Sequence, residues 1–197
     1  MTGHTGAAAA NLPLVVAITG ASGAIYGVEV LKAVKAAGVP VHLVITDSAL
    51  RTLSIETDLA AADVKRLADV THSNKNIGAA IASGSFPVRG MVVAPCSIKT
   101  LSAIANCFAD SLVARAADVM LKERRPLVLM VRETPLHKGH LELMLRATDY
   151  GAILLPPMPA FYHRPTTILD IVHQSVGKVL DQLAIPHDLY RRWTGQG

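Results

Sequence analysis

Short apolar runs alternate with helical patterns along most of the chain. The run from Leu14 to Ile18 is continuously apolar, which is typical of a strand buried on both faces, and apolar residues then recur at helical spacing from Ile25 to Val34. Similar apolar runs predict four further strands, at 41–45, 91–94, 127–131 and 152–155. Helical patterns predict helices at 48–53, 59–67, 97–104, from 112 onward, at 136–148 and at 168–183.

Strands that alternate with helices in this way predict an α/β fold. The expected architecture has three layers, with a flavodoxin- or Rossmann-like parallel sheet and helices on both faces. Residues 13–197 show no shift in composition and are expected to form one domain, whereas residues 1–12 are expected to form a disordered leader. The tail Asp188–Trp193 is expected to pack on a neighbouring molecule.

Composition narrows the class of partner. Hydrophobic residues make up 51% of the chain and charged residues 17%, which provides little polar cover and predicts a homo-oligomer. The net charge is +4, but the basic residues are dispersed and aromatic residues are 4%, which argues against nucleic acid and favours small anionic ligands. No stretch approaches the roughly 18 apolar residues of a membrane span. We therefore expect a cytoplasmic protein that contacts no membrane.

The two cysteines do not indicate a metal site or a disulfide. Cys96 and Cys107 lie eleven residues apart, without CxxC spacing or a nearby histidine. Both are expected to be small buried residues. Carboxylates with Mg²⁺-binding spacing are not found either, so no metal is predicted.

The turn after the first strand, Gly20-Ala21-Ser22-Gly23, is a candidate ligand loop. Free backbone N–H groups at the start of the following helix would attract phosphate. A dinucleotide fingerprint has glycine where this chain has Ser22, which favours a mononucleotide over NAD. Asp47, at the end of the second strand, keeps an NAD dehydrogenase open as an alternative, although we prefer a helix-capping role for it. A plain tight turn remains the other interpretation of the glycine-rich segment.

Further polar clusters follow the other predicted strands, at the sheet edge where parallel sheets bind ligands. Thr46 and the segment Ser97–Thr100 carry hydroxyls suited to a nucleotide phosphate and ribityl hydroxyls, although Ser97 is equally suited to capping a helix. Residues 71–90 are polar and rich in Gly and Ser, with a weak helix near 77–82, and are expected to cover the site.

A second group of candidates is charged. Several cations around one acid would bind a phosphate that must also leave, with Tyr162 as a neutral donor. The charged candidates are Arg115, Lys122, Arg132, Glu133 and Lys178. Glu133 is suited to act as a general acid toward a departing phosphate, and equally to an ion pair at a strand end.

Five stretches, in this order, resemble the UbiX-type flavin prenyltransferases, and the similarity covers residues 14–193. They are Thr19–Gly27, Ala94–Thr100, Arg115–Arg124, Val131–His137 and Pro156–Pro165. The resemblance implies transfer of a dimethylallyl group from dimethylallyl phosphate to N5 and then C6 of reduced FMN, without a metal ion. The product would be the prenylated FMN used by UbiD-type decarboxylases.

The resemblance also implies roles for individual residues. The FMN contacts would be Gly20, Ala21, Ser22, Thr46, Ser97, Ile98, Lys99, Thr100 and Arg132. The donor phosphate would contact Tyr162 and Lys178, with Arg115, Lys122 and Glu133 completing that pocket, partly from neighbouring subunits of a dodecamer. The catalytic residues would be Ser22, Glu56, Lys122 and Glu133, with Ser22 and Glu56 relaying the proton lost at the flavin during ring closure.

One departure and two alternatives accompany this resemblance. Lys178 stands where many relatives have arginine, so a point charge replaces a planar fork. A flavin-dependent decarboxylase of the cysteine type is the enzymatic alternative, but that group uses a histidine beyond the second strand, and this chain has no histidine between Asp47 and Thr71. An FMN-binding subunit without chemistry of its own is the non-enzymatic alternative.

Overall fold

Six parallel strands form a single sheet in residues 12–195, the part of the chain that the computed structural model describes. Their bounds are Leu14–Ile18 (β1), Val41–Ile45 (β2), Val70–His72 (β3), Gly90–Cys96 (β4), Leu127–Val131 (β5) and Ile153–Leu154 (β6). The order across the sheet is β3-β2-β1-β4-β5-β6, which is the order of a Rossmann sheet. The predicted leader lies outside the described residues except for Leu12.

Helices cover both faces of the sheet. The described residues contain seven α-helices: Ala24–Ala36 (α1), Asp47–Glu56 (α2), Ala61–Lys65 (α3), Ile98–Ala105 (α4), Leu112–Lys122 (α5), Lys138–Asp149 (α6) and Ile168–Gln182 (α7). Apolar residues of α1, α2, α3 and α7 pack on one face, and those of α4, α5 and α6 pack on the other. The predicted three-layer α/β fold is therefore confirmed.

The central strands are apolar because both of their faces are buried. All five residues of β1 and all seven of β4 are buried, and β1 pairs in parallel with β2 on one side and β4 on the other. Burial on both faces explains why these strands form continuous apolar runs rather than alternating patterns. Such runs can be identified from the sequence, and each of the five predicted strands is present.

The sixth strand, β3, was not predicted. Val70 and Thr71 are exposed and His72 is half-buried, so this edge strand has no apolar run to mark it. It begins the segment 71–90 that was expected to be a loop. The weak helix expected near 77–82 is a short 3₁₀ turn at Ala80–Ala82.

Hydroxyl side chains begin most of the helices that face the carboxyl ends of the strands. Thr46 caps α2 by accepting a hydrogen bond from the Ala49 N–H at 3.1 Å, and Ser111 caps α5 through the Ala114 N–H at 3.4 Å. The expected capping role of Asp47 is wrong, because Asp47 is the first residue within α2.

One further expectation is corrected. Cys96 is buried, but Cys107 is exposed, and both are free thiols. The tail around Tyr190 contacts α7 of its own chain, where the Tyr190 hydroxyl donates to Asp181 at 2.7 Å, and its packing on a neighbouring molecule stays a prediction. Within residues 12–195, none of the helices is both long enough and apolar enough to span a bilayer.

Candidate active site

A cleft opens where the strand order reverses, between the carboxyl ends of β1 and β4. It has a volume of about 420 Å³, and ligands of doubly wound sheets bind at this position. Seven of the residues predicted from the sequence line it: Gly20, Thr46, Ser97, Ile98, Lys99, Thr100 and Glu133. The sequence therefore identified much of this cleft.

Thr19 ties the two central strands together at the floor of the cleft. Its hydroxyl donates to the Pro95 carbonyl at 2.7 Å and accepts from the Ser97 N–H at 2.9 Å. Thr19 is almost completely buried, so both bonds are shielded from water. They fix the start of α4 relative to β1.

The start of α4 provides hydrogen-bond donors that could bind an anion. Ser97 accepts a hydrogen bond from the Thr100 N–H at 3.3 Å, and the two side-chain hydroxyls lie 3.1 Å apart. The N–H groups of Ile98 and Lys99 belong to the first turn, which has no carbonyl partners within the helix. These donors, the positive end of the helix and the exposed Lys99 ammonium together suit a phosphate.

The glycine-rich turn closes the opposite wall of the cleft. A Cβ atom on Gly20 would lie 2.3 Å from the Cβ of Ser48, which is far inside contact distance. Glycine therefore allows the turn to approach the start of α2, where Thr46 and Ser48 also line the cleft. The hydroxyls of α2 and α4 consequently face the same space.

The start of α1 is occupied by a carboxylate of the protein itself. Glu56 Oε2 accepts from the N–H groups of Gly23 at 2.8 Å and Ala24 at 2.9 Å. The sequence had led us to expect a ligand phosphate at this helix start, and Glu56 takes that position instead. The helix starts that remain open to an anion in the cleft are those of α2 and α4.

Ser22 and Glu56, the predicted proton relay, are in direct contact. Burial alone would raise the pKa of the Glu56 carboxyl, but hydrogen bonds from the Ser22 side chain and from the Ala24 and Gly23 N–H groups, with the nearby Arg132 charge, bring that pKa below its ordinary value. Glu56 is therefore a carboxylate at neutral pH. It can accept a proton that passes through the Ser22 hydroxyl.

Arg132 and Glu133 follow β5 at the same edge of the sheet. The Arg132 N–H donates to the Cys96 carbonyl at 3.1 Å, which continues the pairing of β4 and β5. Its charge acts on Glu56 and also on Tyr26, whose pKa is raised by burial and partly lowered again by Arg132. The exposed Glu133 carboxylate lines the cleft and accepts from the Thr134 N–H at 3.0 Å.

Arg115 and Lys122 lie along α5, away from the cleft. Arg115 donates to the Ala82 carbonyl at 3.2 Å and pairs with Asp118 at 2.7 Å, whereas Lys122 pairs with Glu123. Val113 and Ala114 of α5 line the cleft, and eight residues at 1.5 Å each put Lys122 about 12 Å beyond Ala114 along the helix axis. One copy of the chain does not bring Lys122 to its own cleft.

Tyr162 lines a second cavity, of about 410 Å³, that the C-terminal segment 191–194 closes. Its ring meets that of Trp193 edge-on at 6.2 Å. Lys178 lies on α7 with its ammonium 3.7 Å from Asp181, the carboxylate that also binds the tail residue Arg192. Tyr162, the expected neutral donor to the phosphate, therefore faces the C-terminal segment of its own chain and does not line the cleft of that chain.

Several residues of the cleft were not predicted as contacts. Ser48, Asn74, Asp110 and Ser111 also line it. Asn74 comes from the segment after β3, where its carbonyl accepts from Leu112 N–H at 2.9 Å and its side-chain oxygen accepts from Val113 N–H at 3.1 Å. Ser48 and Ser111 stand next to helix starts, and that position could have identified them. Asn74 carries no such signal.

Among residues 12–195, no three His, Cys, Asp or Glu side chains are grouped as metal ligands would be.

Known proteins are similar to this chain in sequence and in fold. A family model described as Flavoprotein matches residues 4–179. The flavin prenyltransferase UbiX of Thauera aromatica is 60% identical over 182 residues, which cover 92% of this chain and 94% of that protein. The crystal structure of AnUbiX in complex with FMN and dimethylallyl pyrophosphate superposes with a TM-score of 0.93 at 46% identity, covering 95% of this chain and 100% of that one. A dodecameric FMN-dependent UbiX-like decarboxylase from Escherichia coli O157:H7 gives 0.90 at 48% identity, covering 94% and 100%.

Proposed function

The chain belongs to the UbiX family of flavin prenyltransferases, and on that premise we propose that it transfers a dimethylallyl group from dimethylallyl phosphate to N5 and C6 of reduced FMN. The donor would lose its carbon–oxygen bond and release inorganic phosphate as its first carbon replaces the hydrogen on N5. A proton would then add to the double bond of the five-carbon unit, whose tertiary carbon would replace the hydrogen on C6. The observation that carries the proposal is that one cleft contains both the start of α4, which can bind a phosphate, and the Glu133 carboxylate. A relative of this fold is known with FMN and a dimethylallyl donor bound.

The residues of the cleft fit FMN. Ser97, Ile98, Lys99 and Thr100, with Thr46 opposite, would hold the phosphate and the ribityl hydroxyls. Gly20, Ala21 and Ser22 would lie against the ring system, since Gly20 lets this turn pack closely on the start of α2, and Arg132 would contribute a positive charge at the Glu56 end. Bound reduced FMN supplies the two nucleophilic atoms.

The remaining steps fall to side chains of the protein. Glu133 would protonate or orient the departing phosphate as a general acid. Ser22 would take the proton released at flavin C6 on ring closure and pass it to Glu56, which is held as a carboxylate by two backbone N–H groups. Ser22 directly precedes Gly23, whose N–H binds the Glu56 carboxylate, and this proximity supports the relay.

The donor phosphate would be held by cations from more than one copy of the chain. Tyr162 lines the C-terminal cavity, Lys178 lies beside Asp181 on α7, and Arg115 and Lys122 lie on α5. An oligomer is therefore needed to bring these side chains to a cleft. We propose a homo-oligomer, a dodecamer like the Escherichia coli relative. Each charge-assisted hydrogen bond is worth roughly 1.5 to 3 kcal/mol, so three would contribute about 4.5 to 9 kcal/mol, which corresponds to a Kd between the submillimolar and the submicromolar range.

The direct test is anaerobic incubation of the protein with reduced FMN and dimethylallyl phosphate, followed by mass spectrometry of the flavin. We expect the flavin to gain the mass of one five-carbon unit. An unaltered mass would contradict the proposal and would favour the FMN-binding subunit without chemistry. The same assay with dimethylallyl diphosphate compares the two donors.

Glu133→Gln tests the proposed acid. Glutamine keeps the size of the side chain but has no proton to give to the leaving phosphate, so we expect FMN affinity to stay within twofold and turnover to fall roughly 100-fold or more. Flavin titration and single-turnover kinetics measure the two quantities. Full turnover in this variant would exclude Glu133 from the chemistry.

Two further proposals concern the setting. The product would supply a UbiD-type decarboxylase, and adding the product solution to such an apoenzyme would test this. A cytoplasmic location is supported by the exposed free thiol of Cys107, since exposed thiols persist in reducing compartments. A cysteine-type decarboxylase is not favoured, because the most similar relatives reported above are flavin prenyltransferases and UbiX-like proteins.

A further inference from the structure

Asp181 is the hydrogen-bond centre of the C-terminal segment. Its carboxylate accepts from the Tyr190 hydroxyl at 2.7 Å and from Nη2 of Arg192 at 2.7 Å, and it bonds Nε2 of His187 at 3.2 Å. Three side chains from one short segment therefore converge on a single acid of α7. The segment 187–192 is fastened to the helix rather than merely lying on it.

The surface of α7 is shaped for this contact. A Cβ atom on Gly177 would lie 2.5 Å from the Tyr190 ring and 2.7 Å from the His187 ring. Both rings therefore occupy space that any larger residue would fill. The absence of a side chain at Gly177 therefore allows the segment 187–192 to pack on this face of α7.

Asp181 also faces Lys178, one turn earlier on α7. One carboxylate oxygen lies 2.7 Å from Arg192 and the other lies 3.7 Å from the Lys178 ammonium. Burial would raise the pKa of Asp181, but the hydrogen bonds from Arg192, Tyr190 and His187 lower it to about 2. The acid is thus a permanent anion between two cations, and it sets the position of both.

The Arg192 guanidinium is only partly used by these contacts. Within residues 12–195, its hydrogen bond to Asp181 and its close approach to His187 both involve Nη2, which leaves Nη1 and Nε as donors. Arg192 lines the cavity that also contains Tyr162, Arg164 and Arg191. Arg164, Arg191 and Arg192 line this cavity, and none of its lining residues within 12–195 is acidic, so the cavity favours an anion.

We propose that Arg192 is a further ligand for the phosphate of the prenyl donor, and that Asp181 is the positioning residue that holds it beside Lys178 and Tyr162. The inference rests on the proposed function, which assigns the donor phosphate to Tyr162 and Lys178. Lys178 offers a point charge on a flexible stem, whereas a guanidinium offers a planar pair of N–H donors that matches two phosphate oxygens. Arg192 supplies the planar pair of N–H donors that the Lys178 ammonium does not have.

Calorimetric titration of dimethylallyl phosphate into the protein loaded with oxidised FMN tests the proposal without turnover. We expect Arg192→Gln to weaken donor binding at least tenfold, the loss of one charge-assisted hydrogen bond, and to leave FMN affinity unchanged. Arg192→Lys keeps the charge without the fork and should fall between Arg192→Gln and the wild type. Arg66→Gln removes a cation paired with Asp63 on the exposed end of α3 and controls for net charge.

The positioning role makes its own prediction. Asp181→Asn should weaken donor binding, and Arg192→Gln should cost less in that background than in the wild type, because an undirected guanidinium contributes little. Donor affinity in Arg192→Gln within twofold of the wild type, or equal costs in both backgrounds, would overturn the inference. A wild-type protein that binds the donor but leaves the flavin mass unchanged would overturn the proposed function alone. Failure of the wild type to bind the donor would overturn both.

Discussion

Glu56 joins two segments that lie far apart in the sequence. Its carboxylate bonds the N–H groups of Gly23 and Ala24, 33 and 32 residues earlier, and so closes the start of α1 from the end of α2. A negative charge at this position also complements the positive end of the helix. Glu56 therefore serves as a helix cap as well as the proposed proton acceptor.

Replacing Glu56 with glutamine should reveal the capping role through its pH dependence. The folded protein lowers the pKa of Glu56, so the carboxylate stabilises the fold above about pH 4.3, and this contribution is lost as pH falls through the folded pKa. We expect Glu56→Gln to reduce the free energy of unfolding by about 1 kcal/mol or less at pH 7, since the residue is exposed, and by a smaller amount near pH 3. Urea denaturation at the two pH values measures this, and a difference that grew in acid would contradict it.

Residues of the cleft differ in how far the sequence reveals them. Gly20 and Ser97 stand directly after buried strands, so their position on the sheet edge follows from the strand pattern alone. Glu56 was identified only by resemblance, because its partnership with Gly23 depends on how α2 packs against α1. Asn74 was missed altogether, since it belongs to a polar segment with no periodicity. Local motifs can be identified from a sequence, whereas contacts that depend on tertiary packing cannot.

Among the elements, the edge strand β3 is held by polar side-chain contacts rather than by the burial of apolar residues. His42 of β2 and His72 of β3 lie with ring nitrogens 2.9 Å apart, and the Asp69 carboxylate accepts from the Val41 N–H at 2.8 Å. One ring nitrogen must donate and the other accept, so at least one of the two rings must be neutral, and protonation of both rings breaks the bond. The strand is therefore fastened by a pairing that acid removes.

Mild acid should weaken this edge of the sheet. Burial, reinforced by the neighbouring His72 and opposed by Asp69, lowers the pKa of His42, and burial lowers that of His72. Stability from these groups is present in full above about pH 6.5 and is lost as pH falls through the folded pKa values. We expect the free energy of unfolding to drop by about 1 kcal/mol between pH 7.5 and pH 5, the size of one hydrogen bond, and to drop less in His72→Gln. Equal pH slopes for the two proteins in urea titrations would contradict this.

At the scale of the whole molecule, the proposed site is divided between surfaces that one chain keeps apart. Helix α5 runs back from the cleft toward the amino ends of the strands, so Lys122 lies at the opposite edge of the sheet from Glu133. Large apolar side chains remain exposed on the chain, among them Ile55, Met158, Phe161 and Ile168. Exposed apolar surface of this kind is usually covered by another subunit. Assembly would both bury these side chains and bring the cations of one copy to the cleft of another.

Mixed assemblies test whether the site is shared. Lys122→Ala and Glu133→Gln should each be nearly inactive alone, because each removes one part of every site. If Lys122 of one copy serves Glu133 of another, random mixing of equal amounts of the two variants leaves both residues intact in roughly a quarter of the sites. Prenylated flavin, measured by mass spectrometry after co-expression with two different affinity tags, should recover to that fraction. If both residues instead served the same site from a single chain, every chain would carry a defect and mixing would restore nothing.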